Sequence, residues 1–457
     1  MNTKRKKDNH HGLPGIPRWG GALGSSLLAL ALPAAVNSAH PKALPVPPRF
    51  ERVVIDSRTE NSSHKPKVLD RFSKDGTEDI GSLDKEGFKL YRYSQGWRPY
   101  VIFHLNNPGG YEDAVTADIN GDGWPDIVLG GWGNRTIWAE NPAGHGQDPY
   151  TTSWTVHVVD TTRLSHEVCA ADLNKDGRTD IVTTSGVYLQ GATPDQWKFV
   201  DIGKGGQGTQ VADILGSGDG YRDVVAVSQA NGRNRIAWFE NPAHTGGDPA
   251  KDHWQVHVID ADPGGKTGSN RDMDEMAFAV GDINGDGRTD IVAASMGEGP
   301  DKSNDPHQIG DGMVWYEAPA DRRTGTWAKH VIDPTAGWVH ASSIQLADFD
   351  GDGQLEVCYA EQDQSGPTPG GGPGRGDGIP SPRLAICYRT QRNGSAWRTQ
   401  VLSHSPEVGA GGFNSKVGLV GHDKLPSIVT SLHGYFSSAN PILLWRNMGR
   451  AGRSHRP

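Results

Sequence analysis

Hydrophobic residues make up only 35% of this chain and aromatic ones 8%, which argues against long packed helices. There are three cysteines, Cys169, Cys358 and Cys387, an odd and sparse count that excludes a disulfide framework. Cys358 and Cys387 could neighbour each other within one sheet, but buried free thiols are the expected state. No contiguous basic stretch lies in the folded region, so nucleic acid is not an expected partner. The apolar stretch at 22–36 is too short and too interrupted for a membrane span. No Gly-x-Ser-x-Gly in a strand-turn-helix context offers a hydrolase nucleophile. What the chain has instead is 61 Gly, 30 Pro, 14 Trp and a net charge of -9, a balance that fits many short strands joined by tight turns.

The basic residues Lys4, Arg5, Lys6 and Lys7 precede that apolar stretch, which ends in the small residues Ser38 and Ala39. This order predicts a signal peptide over 1–39, a linker at 40–48, and a secreted or periplasmic protein. Export also supplies the calcium that weak extracellular sites require.

One phrase, D-x-N-x-D-G-x-x-D-I, opens at Asp118, Asp172 and Asp282, with a variant at Asp348. Oxygens at alternate positions around a tight Gly turn converge on one point and suit Ca²⁺. The expected ligands are Asp118, Asn120, Asp122 and Asp126; Asp172, Asn174, Asp176 and Asp180; Asp282, Asn284, Asp286 and Asp290; and Asp348, Asp350, Asp352 and Glu356. A stretched copy carries Asp213, Asp219 and Asp223, and a worn one runs over 72–79. An EF-hand needs a Glu three residues beyond the final Asp and a helix on each side. Here the flanks are short and β-branched, as in Ile127-Val128 and Ile181-Val182, so each loop joins two strands.

A longer period surrounds the loop. A third strand returns around Trp138, Trp238 and Trp315, and a fourth around His157, His257 and His330, the latter opened by Trp154, Trp254 and Trp327. Four-stranded units in tandem are propeller blades, and the units count to seven over 49–449, with 450–457 as a tail. The seventh unit, with Lys416 and Asp423 but no metal loop, stops after its third strand. The N-terminal phrase at 50–56 matches a fourth strand and is expected to complete that blade and close the ring. The fold class is therefore all-β, a seven-bladed β-propeller closed by an N-terminal strand.

These loops and strand phrases resemble the FG-GAP or VCBS-repeat propellers, a family that includes the integrin α-subunit head and the propeller domain of aldos-2-ulose dehydratase. The resemblance covers residues 49–449 and implies calcium at the loops on one face of the disc. It does not fix a function. The Phe-Gly and Gly-Ala-Pro phrases of the integrin repeat are replaced here by phrases such as Leu129-Gly130-Gly131-Trp132, and the chain has no room for the cupin-type domains of the dehydratase.

Features that recur in every blade are explained by the blade, so His157, His257 and His330 are expected to be structural, with Trp154, Trp254 and Trp327 packing between blades. The segments that enter the inner strands do not recur: Glu112 and Asp113, His166 and Glu167, Gln207 and Gln210, Asp274 and Glu275, His340, and Lys416. Such segments meet at the mouth of the central channel, opposite the metal loops. His166, Glu112, Asp274 and His340 fall on one parity of the strand, and Glu167, Asp113, Glu275 and Lys416 on the other.

A channel site of His166, Asp274, Glu275 and His340 would suit a second divalent cation, Zn²⁺, Mg²⁺ or Mn²⁺. Catalytic roles then fall to His166, Glu167, His340, Lys416 and Tyr435. Loops opening on the same face add Trp132, Arg135, Tyr188, Arg233, Arg235 and His433 as groups for sugar stacking and hydroxyl or carboxylate recognition, with Glu298, His307 and Glu361 nearby. A Gly/Pro-rich insertion at 366–378 rises from that face and includes the tripeptide Arg375-Gly376-Asp377.

Two function classes follow. One is a carbohydrate-active lyase or dehydratase, in which a channel cation polarises a carbonyl or carboxylate and Glu167 removes the acidified proton. The other is a non-catalytic, lectin-like or adhesion propeller that uses the same face. Hydrolysis by paired carboxylates such as Glu112 and Glu275 is a weaker third.

Overall fold

A computed structural model describes residues 46–57, 65–107, 110–131, 135–230, 233–263, 276–295, 312–336, 339–361, 383–391, 395–404, 415–431 and 441–450. Among these residues, 28 strands form seven sheets of four antiparallel strands. Blade 1 runs from Lys65–Asp70 to Arg98–Phe103, blade 2 from Asp113–Ala117 to Thr155–Asp160, and blade 3 from Val168–Ala171 to Trp197–Val200. Blade 4 runs from Lys204–Ala212 to Gln255–Asp260, blade 5 from Met276–Gly281 to Ala328–Asp333, and blade 6 from Val339–Ala347 to Trp397–His404.

Blade 7 takes three strands from the end of the chain, Ser415–Gly418, Ser427–Ser431 and Ile442–Asn447. Its fourth is Phe50–Asp56, paired antiparallel with Ile442–Asn447 in a register that sets Val53 against Leu444. Each first strand lies beside the next, and Ser415–Gly418 returns beside Lys65–Asp70, so the sheets make a ring with their first strands innermost.

Position in the blade dictates composition. The second strand, such as Asp126–Gly131, is buried along its whole length because neighbouring blades cover both its faces, so it reads as a continuous apolar run. The outermost strand, such as Thr155–Asp160, meets water on one side and alternates. Each blade interface is a hydrophobic layer; the one between blades 1 and 2 gathers Phe72, Phe88, Leu90, Leu129 and Trp154.

The outer strands end in a β-bulge. In blade 2 Ile137 pairs with Val158, but Thr136 pairs with Asp160, leaving Val159 over. The same slip recurs in blades 4 and 5, and between Val54 and Asp56 in the N-terminal strand. A bulge twists an edge away from further pairing and re-aims the next side chain. That side chain is the terminal Asp, which accepts a tyrosine hydroxyl from the following blade: Tyr188 on Asp160 at 2.9 Å, Tyr316 on Asp260 at 2.7 Å and Tyr359 on Asp333 at 2.8 Å. Tyr91 of blade 1 reaches Asp56 of the N-terminal strand at 2.9 Å in the same manner.

The repeated rim residues are structural, as their repetition implies. His157, His257 and His330 stack on Trp138, Trp238 and Trp315 with centroids 4.1, 4.3 and 4.5 Å apart. Trp154, Trp254 and Trp327 are buried. Cys169, Cys358 and Cys387 are free thiols. Among the described residues no helix is long and apolar enough to cross a membrane.

Candidate functional site

The Asp loops lie at one end of the innermost strands and the strand entrances at the other. In blade 2 the Asp118 carboxylate accepts the backbone N–H groups of Gly121 at 2.8 Å, Asp122 at 3.0 Å and Gly123 at 2.8 Å, and this curls the loop around it. Gly121 and Gly123 sit at φ +77° and +87°, in the left-handed region such a turn requires. Asp282 and Asp348 hold the same three amides in blades 5 and 6. In blade 3 Asp172 holds those of Asp176 and Gly177, and Lys175 replaces the first glycine at φ +59°.

The last carboxylate of each loop ties it to the blade. Asp126 accepts Ile119 N–H at 2.9 Å and Asn141 N–H at 2.8 Å, and Asp290 repeats this with Ile283 and Ala318. Burial, and with it the neighbouring carboxylates, pushes Asp126, Asp180 and Asp290 up to about 7 and Glu356 up to about 8. In blade 6 the oxygens of Asp348, Asp350, Asp352 and Glu356 all lie within 4.8 Å of one another. Oxygen donors crowded to the point of mutual repulsion fit a hard divalent cation, and the blade 6 group could hold one.

Blade 4 departs from that expectation. His244 lies between two of the expected ligands, Nδ1 at 2.7 Å from Asp219 and Nε2 at 3.0 Å from Asp223, with its side chain fully buried. Burial alone would lower the imidazole's pKa, but the two carboxylates outweigh it and raise it to about 9. Asp219 and Asp223 thus share a cationic partner from within the protein.

At the opposite end, Asp113, Glu167, Cys169, Thr209, Gln345 and Lys416 line a cavity of about 280 Å³ among the innermost strands of blades 2, 3, 4, 6 and 7. Asp113, Glu167 and Lys416, which share one parity of the sequence, are among its lining. His166 is buried and contacts Glu167 through Nδ1. Burial alone would raise the Glu167 carboxyl, but the His166 charge and contact, with Gly208 N–H at 3.0 Å and the Thr184 hydroxyl at 2.9 Å, hold it below the usual range.

Lys204 donates to the carbonyls of Thr183 and Thr184 at 2.8 and 2.7 Å, and burial lowers it to about 8. Burial, then the Asp113 charge, pushes the Cys169 thiol up to about 12, so it is no nucleophile at neutral pH.

Asp113 is the informative group. Its Oδ2 accepts Val168 N–H at 3.3 Å, while its Oδ1 is buried without a hydrogen-bond partner among the described residues. Lys416 Nζ stands 3.6 Å from that Oδ1, beyond hydrogen-bond reach. Thr209 Oγ1, also buried, lacks a partner as well. The backbone carbonyl of Glu112, the residue before, takes the buried Lys67 ammonium.

Several expected residues are placed elsewhere. Tyr188 is buried with its hydroxyl on Asp160 and presents no face for stacking. Glu361 is buried against Arg383 at 3.1 Å, which also meets Asp333 at 3.2 Å. Arg235 is half-buried and donates to Ser228 at 2.9 Å within its own blade. Arg135 is exposed at the start of a third strand, beside the Tyr111 hydroxyl.

Trp132, Asp274, Glu275, Glu298, His307, His433, Tyr435 and the 366–378 insertion lie outside the described residues, as does 1–45. Arg233 and His340 lie on strands at Arg233–Glu240 and Val339–Ala347. Sequence reasoning missed His244 and Thr209. A histidine three residues after Asn241, where blade 2 has Gly144, was the available signal for the first; a lone threonine gave none for the second.

Comparison with known proteins agrees with this architecture. FG-GAP-like repeats match at residues 72–129, 118–183 and 282–359. No curated protein sequence matches the chain. Among solved structures, BBS1N in complex with ARL6DN superposes with a TM-score of 0.50 at 11% identity, covering 88% of this chain and 97% of that one. An Agrocybe aegerita lectin that recognises non-reducing terminal N-acetylglucosamine gives 0.46 at 16% identity, covering 75% and 81%. YCF48 from Cyanidioschyzon merolae gives 0.44 at 12%, covering 87% and 99%. The first of these likenesses shows the fold alone.

Proposed function

We propose that this chain, a seven-bladed β-propeller carrying FG-GAP-like repeats, is an exported binding propeller that takes a small polyhydroxylated ligand, a carbohydrate, into its central channel. Calcium in the Asp loops and the N-terminal strand hold the ring; the ligand sits at the other end of the strands. The observation that carries this reading is the unmet pair at the cavity, Asp113 Oδ1 and Thr209 Oγ1, with Lys416 across from the carboxylate. A buried polar group left unpaired costs about 1–3 kcal/mol, and a ligand entering the cavity would supply the partner. Sugar hydroxyls can donate to Asp113 and accept from Lys416 and Thr209. The cavity, about 280 Å³, is near the small end of ligand pockets, and it suits a single ring or chain end better than the middle of a polymer.

The lyase or dehydratase reading stands second, favoured by the contact of His166 with Glu167 at the cavity wall. In it Glu167 would remove a proton from bound sugar and Lys416 would steady the departing oxygen; His166, Asp274, Glu275 and His340 are the residues expected to hold a cation, which would supply Lewis-acid polarisation of the substrate. Against it, both Glu167 oxygens already accept hydrogen bonds or the His166 contact.

Titration calorimetry against a panel of monosaccharides and short oligosaccharides tests the first reading. Binding should appear in the native protein and weaken at least tenfold in Asp113→Asn and Thr209→Val, each folded as judged by its melting curve. Unchanged affinity in both would remove the channel site. New unsaturated product from the same ligands, lost in Glu167→Gln while binding persists, would move the conclusion to the second. Sequencing the exported chain from its N-terminus checks the signal, with a start near residue 40 expected.

A further inference from the structure

Blades 1, 4 and 7 solve the charge problem of their loops differently from the rest. In blade 1 Asp75 stands four residues before Asp79, the place Asp122 holds before Asp126. Its Oδ1 accepts Thr77 N–H at 3.1 Å as Asp122 accepts that of Trp124 at 2.9 Å. The loop's opening position, Asp118 in blade 2, is Arg71 here. Arg92 reaches Asp75 Oδ2 through Nε at 3.3 Å and Nη2 at 3.2 Å. Arg92 follows Tyr91, the partner of Ile80, just as Glu140 follows Ala139, the partner of Ile127, so a guanidinium stands where blade 2 has a carboxylate.

Blade 7 repeats the arrangement. Asp423 stands four residues before Ser427, Leu419 takes the opening position, and Arg446 follows Trp445, the partner of Ile428. Arg446 grips both Asp423 oxygens, Nε at 3.0 and 3.2 Å and Nη2 at 2.7 Å. In blade 4 the spacing from Asp213 to Asp219 is longer by two residues than from Asp118 to Asp122, and His244 joins Asp219 to Asp223. Lys175 crosses from blade 3 to the Asp219 carbonyl.

We infer that Arg92, His244 and Arg446 are built-in replacements for calcium, so blades 1, 4 and 7 bind none and the chain takes up four ions, one each in blades 2, 3, 5 and 6. Arg178 and Arg288 also touch an aspartate of their loops, but from within the loop and with every ligand position still filled. Arg450 meets Asp350 from the end of the chain, beside the other three acids of blade 6. A guanidinium on a carboxylate supplies charge and geometry without an ion. Blades 7 and 1 are neighbours, and Phe50–Asp56 completes blade 7, so this seam, like blade 4, keeps its charge balance when calcium is scarce.

The inference rests on the calcium reading of the Asp loops, and the ion count separates the two. Elemental analysis of the native protein after dialysis against excess calcium should give four ions per chain, falling to three in Asp122→Ala and staying at four in Asp75→Ala and Asp423→Ala. Five to seven would overturn the inference alone, none would overturn the calcium reading with it, and any other count, or an ion lost in Asp75→Ala or Asp423→Ala, overturns it too. The native count needs no variant, so a failure of one to fold leaves the test intact.

Discussion

At the rim of the propeller the same side chains meet the same needs in blade after blade, while along the channel each blade contributes something different. Trp138, Trp238 and Trp315 each carry a stacked histidine, and that histidine meets Glu140, Glu240 or Glu317. Even the rim's shortfall repeats, since the indole N–H of all three tryptophans lacks a partner. The unmet groups of the channel, Asp113 Oδ1 and Thr209 Oγ1, do not recur at the equivalent positions of other described blades, although single groups elsewhere, such as Asp350 Oδ1, Thr136 Oγ1 and Ser431 Oγ, also lack a partner among the described residues. A cost repeated with the blade belongs to the blade; a cost borne at a cavity is one that the proposed ligand would relieve.

That contrast can be broken most forcefully at the seam. Deleting residues 49–56 removes the outer strand of blade 7 with its Tyr91 to Asp56 bond, exposing the edge of Ile442–Asn447. The loss is expected to be comparable to the whole stability of a domain, roughly 5–15 kcal/mol, and to show as a vanished cooperative melt; an unchanged melting temperature would refute the closing role. Next in size is Arg383→Met, which strands Glu361 and Asp333 in the interior. Burial alone would raise the Asp333 carboxyl, but the Arg383 charge with the Thr335 and Tyr359 hydroxyls holds it below the usual range. Denaturant unfolding should show a loss of about 3–5 kcal/mol.

A smaller effect concerns pH. The His244 pKa is raised to about 9, so its contribution is fully present below the ordinary imidazole value of about 6.5 and is lost as pH climbs through 9. Stability should therefore fall between those values in the native protein, and His244→Gln should flatten that slope; equal slopes in the two melting series would deny the imidazole its place. The smallest change is expected at the channel. Asp113→Asn should leave stability within about 0.5 kcal/mol of native, or raise it, since the Oδ1 it alters makes no hydrogen bond among the described residues and faces Lys416 only at 3.6 Å. A loss of several kcal/mol there would mean that the channel carboxylate is structural like the rim, and the contrast would fail.

The fold was legible because the strand phrases recur with a period long enough to be one blade, and the match of 50–56 to an outer strand pointed to its pairing with Ile442–Asn447. The site was legible only in part. The segments that enter the inner strands stood out by their failure to recur, but alternation leaves two parities, and the expected site drew on both, with His166 and His340 from one and Glu167 and Lys416 from the other; the cavity is lined by Asp113, Glu167 and Lys416. The Tyr to Asp bonds between blades went unseen because their partners lie on different blades and meet only through a bulge. Likewise Arg92 and Arg446 look like ordinary surface charge until the strand register puts each opposite its loop aspartate.

The pairing of Phe50 with Asn447 also sets the order of events when the chain is made. Phe50–Asp56, the first of the described strands, has its partner in the last of them, so it must wait, unpaired, until the blades between them exist. Contacts so distant in sequence are slow to form and leave edges exposed meanwhile. The ring cannot be finished piecemeal, and a ribosome or export channel still holding either end would keep it open.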